Sequence, residues 1–482
     1  MKHIHSGFFA LMTLLIFPCL VQARSAAESV PVTVTMSATG EGPNLSPDFL
    51  GLSYESSMLL PGNGKYYFDS DDRALINTFQ TLGIKNLRVG ANAVDDPRVP
   101  VPGVRDIDVL FDFARAAGVK VIYSFRLKNG DPEVSARLAN YIAAHDADVL
   151  DAFSIGNEPS FYFKTFPVYL AHWKPHYDAI LKTVPNAMFD GPSVAEANYY
   201  AVDFAGALFA GGHLAMASDH YYFLGSGRAG EKDPAATRAR FLQDSLHAKY
   251  AQDYAKVGAV LAAHGVPYRI DEMNSCYNGG AKDSSDTYAS TLWALDCTHW
   301  WAAHHILGVN YHTGESVGRD GGFGAANYAA FVHRPDGNGF VMRPQAYALL
   351  AFTQAAHGRP LDINLDLQNA PDFNFDAYAW RDTNGSISVT LINKSYGDQA
   401  KPATVSLQGL AGVGKGKWQR MDLVQANQDI AAKTGVTLGG APIDADGLWA
   451  GKWKKVKHAK SKKLAVQVAP ASAAILRFVP AS

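Results

Sequence analysis

Eight short runs of β-type apolar residues alternate with longer amphipathic stretches between about Pro47 and His312, and few folds accept that rhythm. The candidate strands are Phe49–Tyr54, Asn86–Val89, Lys120–Ser124, Ala152–Ile155, Ala187–Asp190, Met216–His220, Tyr268–Asp271 and Val309–His312. Between them, 73–82 and 107–117 keep their apolar residues on one stripe, and Pro132 sits where a first helical turn would begin before 134–144. Gly83 and Gly118 follow two of these stretches, as C-terminal caps do. Eight strands with intervening helices predict an α/β fold, a (β/α)8 TIM barrel over residues 47–343, rather than an open sheet.

After Arg343 the texture changes. One helix-like stretch, 344–356, precedes alternating runs at 375–380, 387–392, 403–407, 418–423 and 474–478, punctuated by Gly, Asp and Asn. This predicts a smaller antiparallel β-sandwich domain over 344–482. The run 32–38 also alternates, so residues 26–46 are expected to join that domain, with the barrel inserted after its first strand. Seven lysines between Lys452 and Lys463 read as a solvated turn of that domain; a polyanion site is the alternative.

The N-terminus carries a weakly basic start, an apolar run from Phe8 to Val21 and small residues at Val21-Gln22-Ala23. Residues 1–25 are expected to be a cleavable signal peptide, which makes the protein secreted or periplasmic. Elsewhere no stretch approaches 18 apolar residues. Net charge is −2, which points to neither nucleic acid nor an anionic membrane as partner, and the expectation is a monomer. Of three cysteines, Cys19 leaves with the signal; Cys276 and Cys297 read as two buried thiols rather than a disulfide framework. No His, Cys and carboxylate cluster has zinc-like spacing, so neither metal nor cofactor is expected.

Barrel enzymes build their active sites at the C-terminal ends of the strands. Ser154-Ile155-Gly156-Asn157-Glu158-Pro159 closes the fourth candidate strand, and Arg269-Ile270-Asp271-Glu272 the seventh. These strands stand on opposite sides of a barrel mouth, so the two glutamates can face each other across a bound sugar. Cleaving a glycosidic bond needs an acid for the leaving oxygen and a carboxylate facing the anomeric carbon; retention needs them about 5–5.5 Å apart. Glu158 is expected as the acid/base and Glu272 as the nucleophile. Asn157 is placed for a hydrogen bond to the sugar's 2-hydroxyl. Asp219-His220-Tyr221-Tyr222 closes the sixth strand, and one tyrosine there would hold Glu272 ionised by donating to it. Parity does not choose between them; Tyr221 is the one taken.

These segments resemble glycoside hydrolase family 79, the β-glucuronidases and heparanase. Phe49-Leu50-Gly51-Leu52-Ser53-Tyr54-Glu55 resembles the family's first strand, Gly156-Asn157-Glu158-Pro159 its acid/base motif, and Gly191-Pro192 and His220-Tyr221-Tyr222 its fifth and sixth strands. The stretch Glu272-Met273-Asn274-Ser275-Cys276-Tyr277-Asn278-Gly279-Gly280 resembles its nucleophile loop, and Phe323-Gly324-Ala325-Ala326-Asn327-Tyr328 a loop beyond strand eight. The resemblance covers most of 47–355. It implies a terminal β-linked glucuronic acid as substrate, contacted by Glu55, with its carboxylate held by Tyr277, Asn278, Gly279 and Tyr328. Asn278 stands where glycine is usual in heparanase, which narrows the loop's backbone freedom. After Gly191-Pro192, heparanase has basic residues that grip sulfated sugar; here Ser193-Val194-Ala195-Glu196-Ala197-Asn198-Tyr199 offers none. Exo action is therefore favoured, with the segment Asp95–Arg105 expected to wall off the pocket. The alternatives are an endo-acting heparanase-like enzyme, a neutral-sugar retaining glycosidase, and a secreted carbohydrate-binding protein without turnover.

Overall fold

The computed structural model describes residues 28–37, 42–62, 64–195, 200–317, 323–368, 370–409, 416–456 and 464–481. The signal segment and the lysines beyond Val456 lie outside the described residues, as do residues 196–199.

Eight parallel strands close into a barrel: β1 (Leu50–Glu55), β2 (Asn86–Gly90), β3 (Lys120–Phe125), β4 (Leu150–Ile155), β5 (Phe189–Ala195), β6 (Leu214–Tyr222), β7 (Tyr268–Asn274) and β8 (Gly308–His312). β1 pairs with β2 on one side and β8 on the other, which completes the ring. β5 runs five residues past its expected end. Gly191-Pro192 looks like a break, but the strand bulges there and continues to Ala195 alongside β6. The helices follow their sequence signals. Arg73–Leu82 and Val104–Ala117 end on Gly83 and Gly118, both left-handed (φ 72° and 74°), and Pro132 opens Pro132–His145.

Seen from below, the barrel interior is polar. Arg269 donates to Asp48 and Asn310, Asn310 donates to Asn86, and Asn86 donates to Asp151. The amides of Asn86 and Asn310 and both terminal nitrogens of Arg269 thereby meet acceptors, as burial favours. Gly51 must lack a side chain, because a Cβ there would stand 2.4 Å from the Asn310 amide.

The β domain has two sheets. One orders Ile363–Asp366, Val30–Met36, Ala403–Gln408 and Leu464–Val468; the N-terminal strand thus lies inside it. Val30–Met36 runs parallel to Ala403–Gln408, the exception in an otherwise antiparallel arrangement. The other sheet orders Arg359–Leu361, Phe375–Arg381, Ile387–Asn393, Ser472–Pro480, Gly416–Gln425 and Val436–Leu438, with Lys454–Lys455 pairing along Gly416–Gln425. Period-two alternation gives this sheet two buried faces. Ala377, Val389 and Leu476 pack against the four-stranded sheet, while Trp380, Ile392 and Ile475 belong to the barrel's core.

Two helices fill the space between barrel and sheet. Tyr288–Ala303 is buried on every side, and so lacks the apolar stripe of a surface helix. Pro344–Ala355 packs on it and on Arg73–Leu82, as the barrel's eighth helix, and also meets strands of the β domain. The barrel therefore extends past residue 343. A buried charge cluster pins the two parts: Lys394 Nζ lies 2.5 Å from Asp376, 3.2 Å from Asp296 and 3.1 Å from Asp244. His247 and Tyr378 complete it on Asp296, at 2.9 and 2.6 Å.

Candidate active site

A cavity of about 1270 Å³ opens at the C-terminal ends of the barrel strands. Glu55 from β1, Glu158 after β4, His220 and Tyr222 from β6, Glu272 from β7 and His312 from β8 all reach it. The loops after β7 and β8 add Tyr277, Asn278, Gly279 and Tyr328. Among the described lining residues there is no Lys or Arg.

Glu272 is buried and doubly held. Tyr222 Oη donates to its Oε1 at 2.7 Å, and Arg88 Nη1 to its Oε2 at 2.7 Å. Burial alone would push its carboxyl up. The positive charges of His312, His220 and Arg88, with the Tyr222 hydrogen bond, outweigh that and hold it far below the usual carboxylate range. Burial, reinforced by the Glu272 charge, keeps the Tyr222 phenol protonated and therefore a donor.

Glu158 sits at a left-handed backbone position, φ 44° and ψ 50°. Its N–H donates to the Ser193 carbonyl at 2.8 Å. Its Oε1 lies 3.0 Å from His220 Nδ1. Burial disfavours a charged His220, but Glu272, Asp271 and Glu158 around it raise its pKa to about 10, so both ring nitrogens carry protons. One carboxylate oxygen of Glu158, one of Glu272 and a ring nitrogen of His220 lie within 4.8 Å of one another.

Asn157 is fixed before Glu158. Its Oδ1 accepts from Arg88 Nη2 at 2.7 Å, and its amide donates to Asn92 at 3.3 Å. Arg88 thus ties the two strand ends together from beneath. It also donates to Ser53 and stands 3.6 Å from Asp271, with no solvent exposure.

The structure corrects one assignment. Tyr222, not Tyr221, donates to Glu272. β6 alternates, so with His220 facing the mouth its neighbour Tyr221 must point outward. There Tyr221 stacks on Phe223 (5.4 Å) and leans on Trp301 (5.6 Å). The segment 95–105 does not line the main cavity: Asp95–Arg98 line a smaller cavity that shares Asn92, Glu158 and Phe161 with it, and Pro100–Pro102 line another.

Glu55 accepts from the Ala93 N–H at 2.7 Å and faces His312 at 3.8 Å. The loop after β7 turns on three consecutive left-handed residues, Asn278, Gly279 and Gly280 (φ 60°, 80° and 79°). Asparagine takes that conformation more readily than other residues with a Cβ, so the departure from glycine at 278 is tolerated. Gly280 allows no such substitution; a Cβ would stand 2.9 Å from the Tyr328 N–H. Asn327 donates to the Gly279 and Gly280 carbonyls, which locks this loop to the one after β8. Tyr328 then lies 6.2 Å from Tyr222 and 5.8 Å from His312, ring to ring, and Tyr277 is 41% exposed at the rim.

Arg88, His220, His312 and Asn92 were not singled out as site residues from the sequence. A histidine two residues before a strand-end tyrosine was the one available signal. Cys276 and Cys297 are free and buried. Among the described residues no helix is long and apolar enough to cross a membrane.

Known proteins share this fold at low identity. No family model matches the chain. A β-glucuronidase of Aspergillus niger is 24% identical over 437 residues, covering 74% of this chain and 78% of that protein. A 4-O-α-L-rhamnosyl-β-D-glucuronidase from Fusarium oxysporum 12S superposes with a TM-score of 0.68 at 19% identity, over 92% of this chain and all of that one. A family 51 arabinofuranosidase from Xanthomonas axonopodis pv. citri gives 0.67 at 14% identity, over 94% of this chain and all of that one. The barrel, the facing carboxylates and the fungal relative together define the class: a glycoside hydrolase. Within that class, its sequence is similar to a β-glucuronidase.

Proposed function

We propose that the protein is a retaining, exo-acting β-glucuronidase that removes terminal β-linked glucuronic acid from glycans or glycoconjugates. The observation that carries the mechanism is the approach of the Glu158 and Glu272 oxygens to within 4.8 Å. Inverting enzymes keep their carboxylates about 6.5–9.5 Å apart to admit a water between them; retaining enzymes do not. Glu272, held ionised, attacks the anomeric carbon while Glu158 gives its proton to the leaving oxygen. The glycosidic bond breaks and a glycosyl ester forms on Glu272. Water then attacks the ester, Glu158 takes its proton, and Glu272 is released. Asn157 is assigned to the sugar's 2-hydroxyl, and Glu55, which lines the cavity, to a further sugar contact.

Uronate selection is assigned to Tyr277, Tyr328 and the backbone of Asn278 and Gly279. Phenol and peptide donors satisfy a carboxylate without a full positive charge. The described lining of the main cavity has no Lys or Arg, while Arg98 and Lys128 line the smaller cavity that shares Glu158 with it. The relationship to a fungal β-glucuronidase supports the uronate assignment. The N-terminal segment supports action outside the cytoplasm.

The test is hydrolysis of p-nitrophenyl β-glucuronide beside the β-glucoside, β-xyloside and β-galactoside, with Glu272→Gln as blank. Proton NMR of the first-formed sugar reads the stereochemistry. Preference for the glucuronide with β-anomer released first is expected. Equal rates on all four would remove the uronate assignment, and α-anomer first would remove the retaining one.

A further inference from the structure

The acid/base loop is held by a residue that lies outside the main cavity. Asp95 follows β2, is 8% exposed, and accepts four hydrogen bonds from two separate loops. Its Oδ1 receives the N–H groups of Leu127 and Lys128, both at 2.8 Å, from the loop after β3. Its Oδ2 receives the Asn157 N–H at 2.9 Å and the Tyr162 hydroxyl at 2.6 Å, from the loop after β4. Two carboxylate oxygens offer about four lone-pair sites, and all are used.

Asp95 is itself fixed. Arg126 donates to the Val94 carbonyl at 2.7 Å, the Asp96 carbonyl at 2.9 Å and the Val99 carbonyl at 2.6 Å, so the chain on both sides of Asp95 is clamped. The loops after β3 and β4 meet here: a Cβ on Gly156 would stand 2.8 Å from Leu127.

This matters because Glu158 occupies a left-handed backbone conformation that a residue with a side chain adopts only at a cost. Such a conformation persists only where its surroundings over-determine it. Ser193 holds the N–H of Glu158 itself, and Asp95 holds the N–H of the residue before it.

We infer that Asp95 is a positioning residue that sets where Glu158 presents its proton. The inference rests on reading Glu158 as the acid. Asp95→Asn keeps the shape but turns one acceptor into a donor, which must face either the Leu127–Lys128 pair or the Asn157–Tyr162 pair. Facing Asn157 and Tyr162 it releases the acid loop; facing Leu127 and Lys128 it leaves that loop tied to a side chain that has lost its hold on the loop after β3.

Leaving groups separate this role from a merely structural one. 2,4-Dinitrophenolate departs without a proton; phenolate and alkoxides need one. kcat/KM is measured for dinitrophenyl, phenyl and methyl β-glucuronides with wild type, Asp95→Asn, Tyr162→Phe and Glu158→Gln. General acid catalysis contributes roughly 10²–10⁴-fold. The expected result is a loss at least about tenfold larger on phenyl than on dinitrophenyl glucuronide for Asp95→Asn, in the same sense as Glu158→Gln. Tyr162→Phe, which removes one of the four donors, should show the same trend more weakly. Equal losses on all substrates in both Asp95→Asn and Tyr162→Phe, with the trend intact in Glu158→Gln, would overturn the positioning role alone. A Glu158→Gln variant without leaving-group dependence would overturn the acid assignment itself.

Discussion

Arg88 donates to Glu272 at 2.7 Å with neither side chain more than 4% exposed, so the carboxylate at the end of β7 is matched by a cation rooted in β2. The same guanidinium holds Asn157 at 2.7 Å. Replacing it leaves Glu272 and Asp271 without their buried partner. Arg88→Met should destabilise the fold by about 3–5 kcal/mol. Since Arg88 helps keep Glu272 ionised, its loss raises the Glu272 pKa, and the acid limb of kcat/KM should move to higher pH. A folded variant with the wild-type acid limb would count against this pairing.

The hydroxyl on Glu272 belongs to Tyr222. Tyr222→Phe should lower kcat/KM by roughly 10²-fold, the cost of removing a donor aimed at a reacting charge. Tyr221→Phe should leave the rate per folded molecule near wild type, because that ring packs behind the strand. Reversed outcomes would restore the outward-facing tyrosine to the site.

The proposed uronate pocket makes a prediction about selectivity. Tyr328→Phe and Tyr277→Phe should each reduce glucuronide turnover by about tenfold or more, the worth of one hydrogen bond to a charged group. The matched glucoside should change much less. Parallel losses on both substrates would remove these phenols from carboxylate recognition.

His220 gives a pH signature. Its pKa is about 10 in the folded state, against about 6.5 when unfolded, so folding favours the protonated form. That contribution is full below pH ~6.5 and is lost as pH rises through about 10. Melting temperature in the wild type should fall more steeply across this window than in His220→Gln. Identical slopes would show that the imidazolium is not held by its carboxylates.

The charge cluster between barrel and β domain should respond to loss of its cation. Lys394→Met leaves Asp296 and Asp376 facing each other, and a loss of about 3–5 kcal/mol is expected, read as a lower midpoint in urea. An unchanged midpoint would mean that water reaches the cluster.

Much of the barrel was legible because apolar runs of strand length were bounded by clear stops. The glutamates at 158 and 272 stood out because both follow such runs directly. Phase was harder. Period two says that Tyr221 and Tyr222 face opposite ways, but not which faces in; only His220's inward direction settles it. Arg88 was hidden in Asn-Leu-Arg-Val-Gly, where a charged residue within a strand usually reads as its solvent side. Asp95 looked like one loop acid among several, since its four donors are distant in sequence. The short strand pairs Glu315–Val317 with Phe323–Ala325 and Phe331–His333 with Phe340–Met342 carry too few residues for periodicity to register.

Val30–Met36 is an inner strand whose neighbours, Ile363–Asp366 and Ala403–Gln408, are encoded after the entire barrel. During synthesis at about 5–20 residues per second, that strand waits roughly 15–65 s with both edges open. Chaperone demand should therefore fall on the newborn N-terminus, and a C-terminal truncation should yield a sticky product rather than a free-standing barrel.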